Sequence, residues 1–269
     1  MIKAVVTGAA GRMGGRIASL IAETAGIELA GAVEQKGHPA IGRDVGDGLG
    51  RGPIGIAIGD DLGECIEQGD VVIDFTSHTS SFEHLKTASK KGRAIVIGST
   101  GFTVEEMQQV RAMAQAVRCV LAPNMSVGMN VLFKVLADVA RILGDDYDVE
   151  LVEAHHHRKK DAPSGTAMRL AEIISTSLGR DLDRVGVYSR RGMIGERSKE
   201  EIGIQTLRAG DIVGDHTIMF AGEGERLEFI HRAHNRDNFA RGAIRAALWL
   251  VNQPNGLYDM QDVLGLRQR

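Results

Sequence analysis

The chain has 269 residues, 43% hydrophobic and 25% charged, with 35 acidic against 32 basic side chains and a formal charge of −3. That balance is ordinary for a globular protein and speaks against a general nucleic-acid binder, which carries a basic domain. No apolar run reaches the roughly 18 residues of a membrane span, and the length suits one large domain or two modest ones.

MIKAVVTG leads directly into a strand with no signal-peptide layout, and Cys65 and Cys119 have neither metal spacing nor a disulfide framework. Both features lead us to expect a cytoplasmic protein. IKAVVTG (2–8) is a short β-branched run followed by glycines, and GRIASLIAETA (15–25) has helical spacing. IELAGAVE (27–34), DVVIDFT (70–76), AIVIGST (94–100) and VRCVLAP (117–123) read as buried strands. The Gly-rich segment 42–59 reads as loop with one short strand, IGIAIG. SSFEHLKTASKKG and TVEEMQQVRAMAQA are helical, the second opening with Thr103 and Glu106 in capping-box register. Alternating strands and helices imply a parallel sheet covered on both faces.

The rhythm changes after Asn124. SVGMNVLFKVLADVARIL (126–143) and SGTAMRLAEIISTSL (164–178) are helices on either side of a strand, YDVELVEAHH (147–156). EIGIQTLRAG, GDHTIMFAG and RLEFIHRAH are strands joined by short turns, which implies an antiparallel or mixed sheet, and DNFARGAIRAALWLV (237–251) is a closing amphipathic helix. The expected architecture is α/β: a dinucleotide-binding domain over residues 1–126 and 236–269, with a second α+β domain inserted at 127–235. The exposed strands of the second domain are candidate oligomer surfaces.

VVTGAAGRMGGRI places Gly8, Gly11 and Gly14 between the first strand and the first helix. Glycines allow the tight turn and let backbone N–H groups approach phosphate oxygens at a helix N-terminus. The spacing, G-x-x-G-x-x-G, departs from the usual fingerprint at Ala10. The flanking strand and helix, and the acid Glu34 ending the second strand, supply the context that separates a pyrophosphate cradle from a bare Gly-rich turn. Glu34 should hydrogen-bond the adenosine ribose. A 2′-phosphate calls for an arginine nearby, and the next residue is Gln35; Lys36 offers a point charge and Arg12 a contact from within the loop. NADH is the expected cofactor, with NADPH usable.

VEAHHHRKKDAPSGTA (152–167) holds six consecutive positions that can carry positive charge, His155 to Lys160. Such a run repels itself, and a metal, a nucleic acid, a solvated surface or an anionic substrate would each offset the cost. On a strand, His155, His157 and Lys159 share one face and His156 and Arg158 the other, so they cannot ligate one metal together, and no acidic or Cys partner lies nearby. No aromatic is interleaved, as nucleic-acid binding would favour. A solvated charge run is the plain alternative. Against it stand Ser164, Gly165 and Thr166, which open a helix and offer hydroxyls and N–H groups to a carboxylate.

At GAAGRMG, DVVIDFT, IGSTGF, APNMSVGMN, EAHHHRKKDAPSGTA, RAGDIVGDH and ALWL the chain resembles the dihydrodipicolinate reductases of lysine and diaminopimelate synthesis, nearly end to end. The resemblance implies a Rossmann-type domain plus a mixed-sheet substrate and oligomerisation domain, a homotetramer, and NAD(P)H-dependent reduction of a cyclic dicarboxylic imine. It implies that Gly8, Ala9, Ala10, Gly11, Arg12 and Met13 hold the pyrophosphate, and that Glu34, with Gln35 beside it, takes the ribose. Gly98, Ser99 and Thr100 would line the nicotinamide half of the cofactor, with Ala122, Pro123, Asn124 and Met125 on the hinge side. His155 matches the proton donor, Lys159 the second catalytic residue, and His156, Gly165 and Thr166 the residues that hold the substrate's carboxylates. Two departures are Gln35, where the family often has Arg, and His157-Arg158, where Arg or Asn is common first.

Rival readings are another two-domain nicotinamide reductase, an NAD(H)-sensing module without turnover, and a metal-binding protein. Asp161 and Pro163 are expected to shape the turn, His231 and His234 to lie at a polar surface, and Trp249 and Met129 to pack in the core.

Overall fold

The structure is a computed structural model and describes residues 1–267. Residues 268 and 269, which the expected first domain includes, lie outside the described residues. The chain opens with β1 (Ile2–Thr7), α1 (Arg12–Ile21), β2 (Ile27–Val33), α2 (Val45–Gly48), β3 (Ile58–Gly59) and α3 (Leu62–Cys65). Next come β4 (Val71–Asp74), α4 (His78–Lys91), β5 (Ala94–Ile97), α5 (Val104–Met113) and β6 (Arg118–Leu121). α6 (Val127–Leu143), β7 (Asp148–His155), α7 (Gly165–Ser177), α8 (Leu182–Val185) and β8 (Gly186–Val187) follow. β9 (Ile202–Arg208), β10 (Gly214–Gly222) and β11 (Glu225–Ala233) precede α9 (Asp237–Leu250), β12 (Gly256–Tyr258) and α10 (Met260–Val263). Residue contacts divide the chain into two compact units, Met1–Val127 with the segment from Arg236, and Gly128–Asn235.

The first unit is built on a parallel seven-stranded sheet in the order β12-β6-β5-β4-β1-β2-β3. Its central strands are apolar at successive positions because both faces are covered. Ala4, Val6, Val71 and Ile73 pack with α1 and α9 through Ile17, Leu20, Ala243 and Ala247. Val5, Val72, Ile95 and Ile97 point the other way, onto Phe82 and Leu85 of α4 and Val110 of α5. The chain leaves β1 first for β2 and then, through β4, for the opposite side, so β1 and β4 flank a switch point whose carboxyl ends form a crevice. This is a Rossmann-like fold. α1 starts at Arg12, earlier than its apolar pattern, because Gly11 is already the N-cap. β12 and α10 lie beyond the expected last helix; β12 is only three residues long and gives too short a run to register as a strand.

The second unit holds a mixed sheet in the order β11-β10-β7-β9-β8. β10 is antiparallel to both β7 and β11, whereas β7–β9 and β9–β8 are parallel. Val149 and Leu151 of β7 alternate inward, onto Phe133 and Leu136 of α6 and Leu170 and Ile174 of α7. The next inward position is Glu153, a carboxylate where the pattern calls for an apolar side chain.

Candidate active site

In the first unit Gly8 follows β1 with φ +64°, and a Cβ on Gly14 would stand 2.1 Å from the Gly8 carbonyl oxygen. Only glycine at position 14 lets α1 start against this turn. α1 has no side-chain cap, which leaves its first turn to an external anion. A cavity of about 620 Å³ is lined by Gly8, Gly11, Arg12, Met13, Glu34 and Gln35, six of the expected cofactor residues. The cradle and cavity therefore suit a dinucleotide. Glu34 reaches back to the loop, its carboxylate accepting the Ala10 N–H at 3.0 Å and the Gln35 N–H at 2.9 Å. Ala9 is buried, its N–H bound to the Val33 carbonyl at 3.1 Å, and with Ala10 it borders a second cavity of about 530 Å³.

The other cofactor expectations lie elsewhere in this unit. Gly98 packs under the Phe75 ring, Ser99 is buried and its hydroxyl lies 2.5 Å from that of Ser81, and Thr100 is exposed. Ala122 is buried, Pro123 exposed, and Asn124 accepts the Ser126 N–H at 2.9 Å. The Met125 side chain belongs to the core cluster, and its carbonyl oxygen packs against Gly242, where a Cβ would stand 1.8 Å away.

The same cavity also receives Thr76 and His84, which the motif reading passed over. Both are organised by Asp74, fully buried at the end of β4. One Asp74 oxygen accepts the Thr76 N–H (2.9 Å), the Thr76 hydroxyl (2.7 Å) and the Ser81 hydroxyl (2.9 Å); the other lies 2.5 Å from His84 Nδ1. Burial pushes the Asp74 carboxyl up, but the bonds from His84 and Thr76 outweigh it and hold the group below the usual carboxylate range. The available signal was the position of DFT at the carboxyl end of a strand beside the switch point.

In the second unit the basic run divides in two. β7 ends at His155, so the strict alternation stops there, and a turn closed by Lys159 N–H on the His156 carbonyl (3.1 Å) carries the chain on. His157, Arg158 and Lys160 are exposed and repel one another little in water, while His155, His156 and Lys159 are partly buried. Lys159 Nζ pairs with Asp161 at 2.9 Å. His156 donates its N–H to the Ile212 carbonyl at 2.7 Å, and its Nδ1 is buried without a hydrogen-bond partner among the described residues.

His155 Nδ1 lies 2.5 Å from Glu153, and its ring meets that of His216 edge-on at 5.3 Å. Burial lowers the His155 pKa below the ordinary value, against the raising effect of Glu153 and with help from Lys159 and Arg208. His216 is driven down to about 3, chiefly by burial and then by His155. A Cβ on Gly214 would come within 3.0 Å of His155 Nε2, so position 214 leaves this nitrogen its room. Ser164, 2% exposed, caps α7 through the Ala167 N–H (3.1 Å) and lies 3.2 Å from His216 Nε2. Its hydroxyl is thus occupied inside the protein, whereas Gly165 is exposed and Thr166 half-buried at the helix start. His234 is exposed and His231 half-buried; Trp249 packs edge-on with Tyr258 beside the first core.

Among the described residues no group of three His, Cys, Asp or Glu side chains is arranged to hold a metal ion, and no helix is long and apolar enough to cross a membrane.

Family models for the N-terminus and the C-terminus of dihydrodipicolinate reductase match residues 2–125 and 128–264. The chain is 64% identical to a 4-hydroxy-tetrahydrodipicolinate reductase of Syntrophus aciditrophicus, covering 99% of this chain and all (100%) of the relative. It is 58% identical, over the same shares, to the enzyme of that name in Syntrophobacter fumaroxidans. Among solved structures, a dipicolinate-bound dihydrodipicolinate reductase from Paenisporosarcina sp. TG-14 superposes with a TM-score of 0.74 at 25% identity, covering 97% of this chain and 98% of that one. An amine dehydrogenase from Mycobacterium smegmatis shares the fold, with a TM-score of 0.64 at 17% identity, covering all (100%) of this chain and 97% of that one.

Proposed function

The chain belongs to the dihydrodipicolinate reductase family, and we propose that it reduces 4-hydroxy-tetrahydrodipicolinate or its dehydrated form to tetrahydrodipicolinate with NAD(P)H. The observation that carries this reading is the second unit's grouping of His155, His156, Lys159 and the start of α7. A cyclic imine with two carboxylates supplies the negative charge such a group wants. Gly165 and Thr166 receive one carboxylate at the helix N-terminus, and His156 and Lys159 the other charged edge of the ring.

Loss of the 4-hydroxyl, with a proton of the carbon between it and the imine, as water leaves a double bond conjugated with the imine, and a bound reduced nicotinamide would supply a hydride to its far end, ring carbon 4. The displaced electrons would pass toward the ring nitrogen as an enamine, and a proton added to the carbon next to carbon 4 would restore the imine of the product. His155 gives that proton from Nε2, since Nδ1 is engaged with Glu153. Burial lowers its pKa in the free protein, and a dianion alongside favours the imidazolium, which carries the Nε2 proton to be given. Lys159, steadied by Asp161, pairs with the ring nitrogen or a carboxylate and balances charge as the proton moves.

The first unit serves as the dinucleotide-binding domain and the second as the substrate and oligomerisation domain. The turn from Gly8 to Met13 holds the pyrophosphate and Glu34 the ribose, with NADH preferred because Gln35 offers no cation to a 2′-phosphate. Gly98 to Thr100 and the backbone of Ala122 to Met125 take the nicotinamide half. Leu207 and Ile230, on the sheet face opposite Glu153, stay exposed, which supports assembly, and the form proposed is a cytoplasmic homotetramer.

The deciding experiment follows nicotinamide absorbance after the protein is added to substrate freshly formed from pyruvate and aspartate semialdehyde, with NADH and NADPH run in parallel. Substrate-dependent oxidation, faster with NADH at limiting cofactor, is expected. Tight NADH binding with no oxidation would replace this reading by a sensing module.

A further inference from the structure

Glu153 is a heavily committed side chain of the second unit. It has no exposed surface and receives five hydrogen bonds. Arg208 binds it bidentately, each guanidinium nitrogen 2.9 Å from one carboxylate oxygen. The Ser164 N–H (3.0 Å) and the Thr206 hydroxyl (3.2 Å) share one oxygen with Arg208, and His155 Nδ1 lies 2.5 Å from the other. Arg208 also donates to the Asp161 carbonyl at 2.7 Å, in the residue whose side chain holds Lys159. One ion pair thus touches His155, the Lys159–Asp161 turn and Ser164, the N-cap of α7.

Charge decides what this pair does. A buried carboxylate with a single histidine partner would pull that histidine to the imidazolium form. Here the guanidinium, charged at every working pH, already neutralises Glu153. Burial pushes the Glu153 carboxyl up, yet Arg208, His155 and the Ser164 N–H hold it below the usual range, so it stays an acceptor. The ring nitrogen facing a permanent acceptor must carry a proton.

We propose that Glu153 and Arg208 are the positioning pair of this site: Glu153 locks His155 with its proton on Nδ1, leaving Nε2 alone to exchange protons, and Arg208 frees His155 from having to be the counter-ion. The inference rests on the proposed role of His155 and adds two residues to which no role was attached. Each has an opposite electrostatic effect. Removing the Glu153 charge takes away the acceptor that favours imidazolium; removing the Arg208 charge leaves His155 as the carboxylate's cationic partner. The other charged or titratable groups facing His155 are Lys159, from the turn, and His216, from β10.

The test is a nitrogen-15 histidine titration of the full chain, with the His155 signal assigned by its loss in His155→Asn. In the wild type, neutral His155 should show a protonated Nδ1 and a bare Nε2. Glu153→Gln should move its titration to lower pH and Arg208→Met to higher pH, each by about one unit, while Arg208→Lys restores most of the wild-type value. In Glu153→Gln, kcat should fall about 10- to 100-fold, with NADH affinity, measured by its fluorescence, unchanged. A wild-type His155 protonated on Nε2 in its neutral form overturns the proposal without recourse to any variant. So do shifts of the same sign in Glu153→Gln and Arg208→Met, the mark of simple loosening. The tautomer is read without turnover, so failure of the proposed reductase activity leaves this result standing and distinguishable.

Discussion

Each unit contains a fully buried carboxylate on a strand, with a histidine Nδ1 2.5 Å away: Asp74 at the end of β4 with His84, and Glu153 of β7 with His155. What surrounds them differs. Asp74 is completed by the neutral donors Thr76 and Ser81, so His84 is its only cation-forming partner among the described hydrogen bonds. Glu153 is completed by Arg208, which carries the compensating charge itself. A carboxylate–histidine pair is therefore not a function by itself. With neutral donors it is a buried brace beside a cavity; with a guanidinium it leaves the histidine free to change protonation state.

The largest effect that would break this contrast is kinetic. His155→Ala should cut kcat by roughly 10²–10⁴, the range for loss of a general acid. His84→Ala should leave kcat within a few-fold and act on the KM for the dinucleotide, because His84 borders the cavity at the glycine loop. Steady-state kinetics on the two variants decides it. Equal losses in kcat would erase the distinction.

Stability separates the carboxylates themselves. Glu153→Ala strands a guanidinium that cannot lose its charge and should cost about 3–5 kcal/mol. Asp74→Ala should cost less, about 1–3 kcal/mol, since the Thr76 and Ser81 hydroxyls it leaves are neutral and can turn to other partners. Urea unfolding compares the two: Trp249, the chain's single tryptophan, reports on the first unit, and circular dichroism follows both units together.

The two sites were unequally legible in the sequence. The glycine loop is local: Gly8, Gly11 and Gly14, the following helix and Glu34 all fall within two successive strands, so one stretch of chain displays the cradle. The second site is assembled across strands. Parallel pairing sets Thr206 opposite Glu153 and Arg208 opposite His155, and antiparallel pairing sets His216 opposite Glu153. Register is a tertiary outcome that hydrophobic pattern specifies only by face. The single local sign was Glu153 standing at an inward position after Val149 and Leu151. Ser164 was read as a ligand for an anion, and its burial beside His216 follows from the same cross-strand register.

The second unit should also be the acid-sensitive one. His216 ionises at about 3 in the folded chain, while an unfolded histidine ionises near 6.5. Below 6.5 the unfolded state takes up a proton that the folded state refuses, so stability is complete above that pH and declines as pH falls toward 3. Between pH 6.5 and 5 the loss attributable to His216 is roughly 2 kcal/mol. His216→Asn should show a flatter dependence of unfolding free energy on pH than the wild type. Parallel curves would mean that His216 is protonated inside the fold.

The smallest expected differences come from two helix caps of the same chemistry. Thr103 caps α5 in a reciprocal capping box, its hydroxyl accepting the Glu106 N–H at 3.1 Å while Glu106 accepts the Thr103 N–H at 2.8 Å. Ser164 caps α7 but is buried and shared with His216. Thr103→Ala should cost about 1 kcal/mol with no change in kinetics, because water replaces an exposed hydroxyl. Ser164→Ala should cost about 1–2 kcal/mol, since His216 Nε2 then loses its hydrogen bond in a place water does not readily reach. It should also raise the KM for the imine while sparing kcat, because the N–H groups of Gly165 and Thr166 depend on the first turn of α7 staying closed, whereas Glu153 still holds His155. Loss of kcat in Ser164→Ala with an unchanged KM would instead make the Ser164–His216 contact part of the proton path and dissolve the division of labour between the helix start and the Glu153–His155 pair.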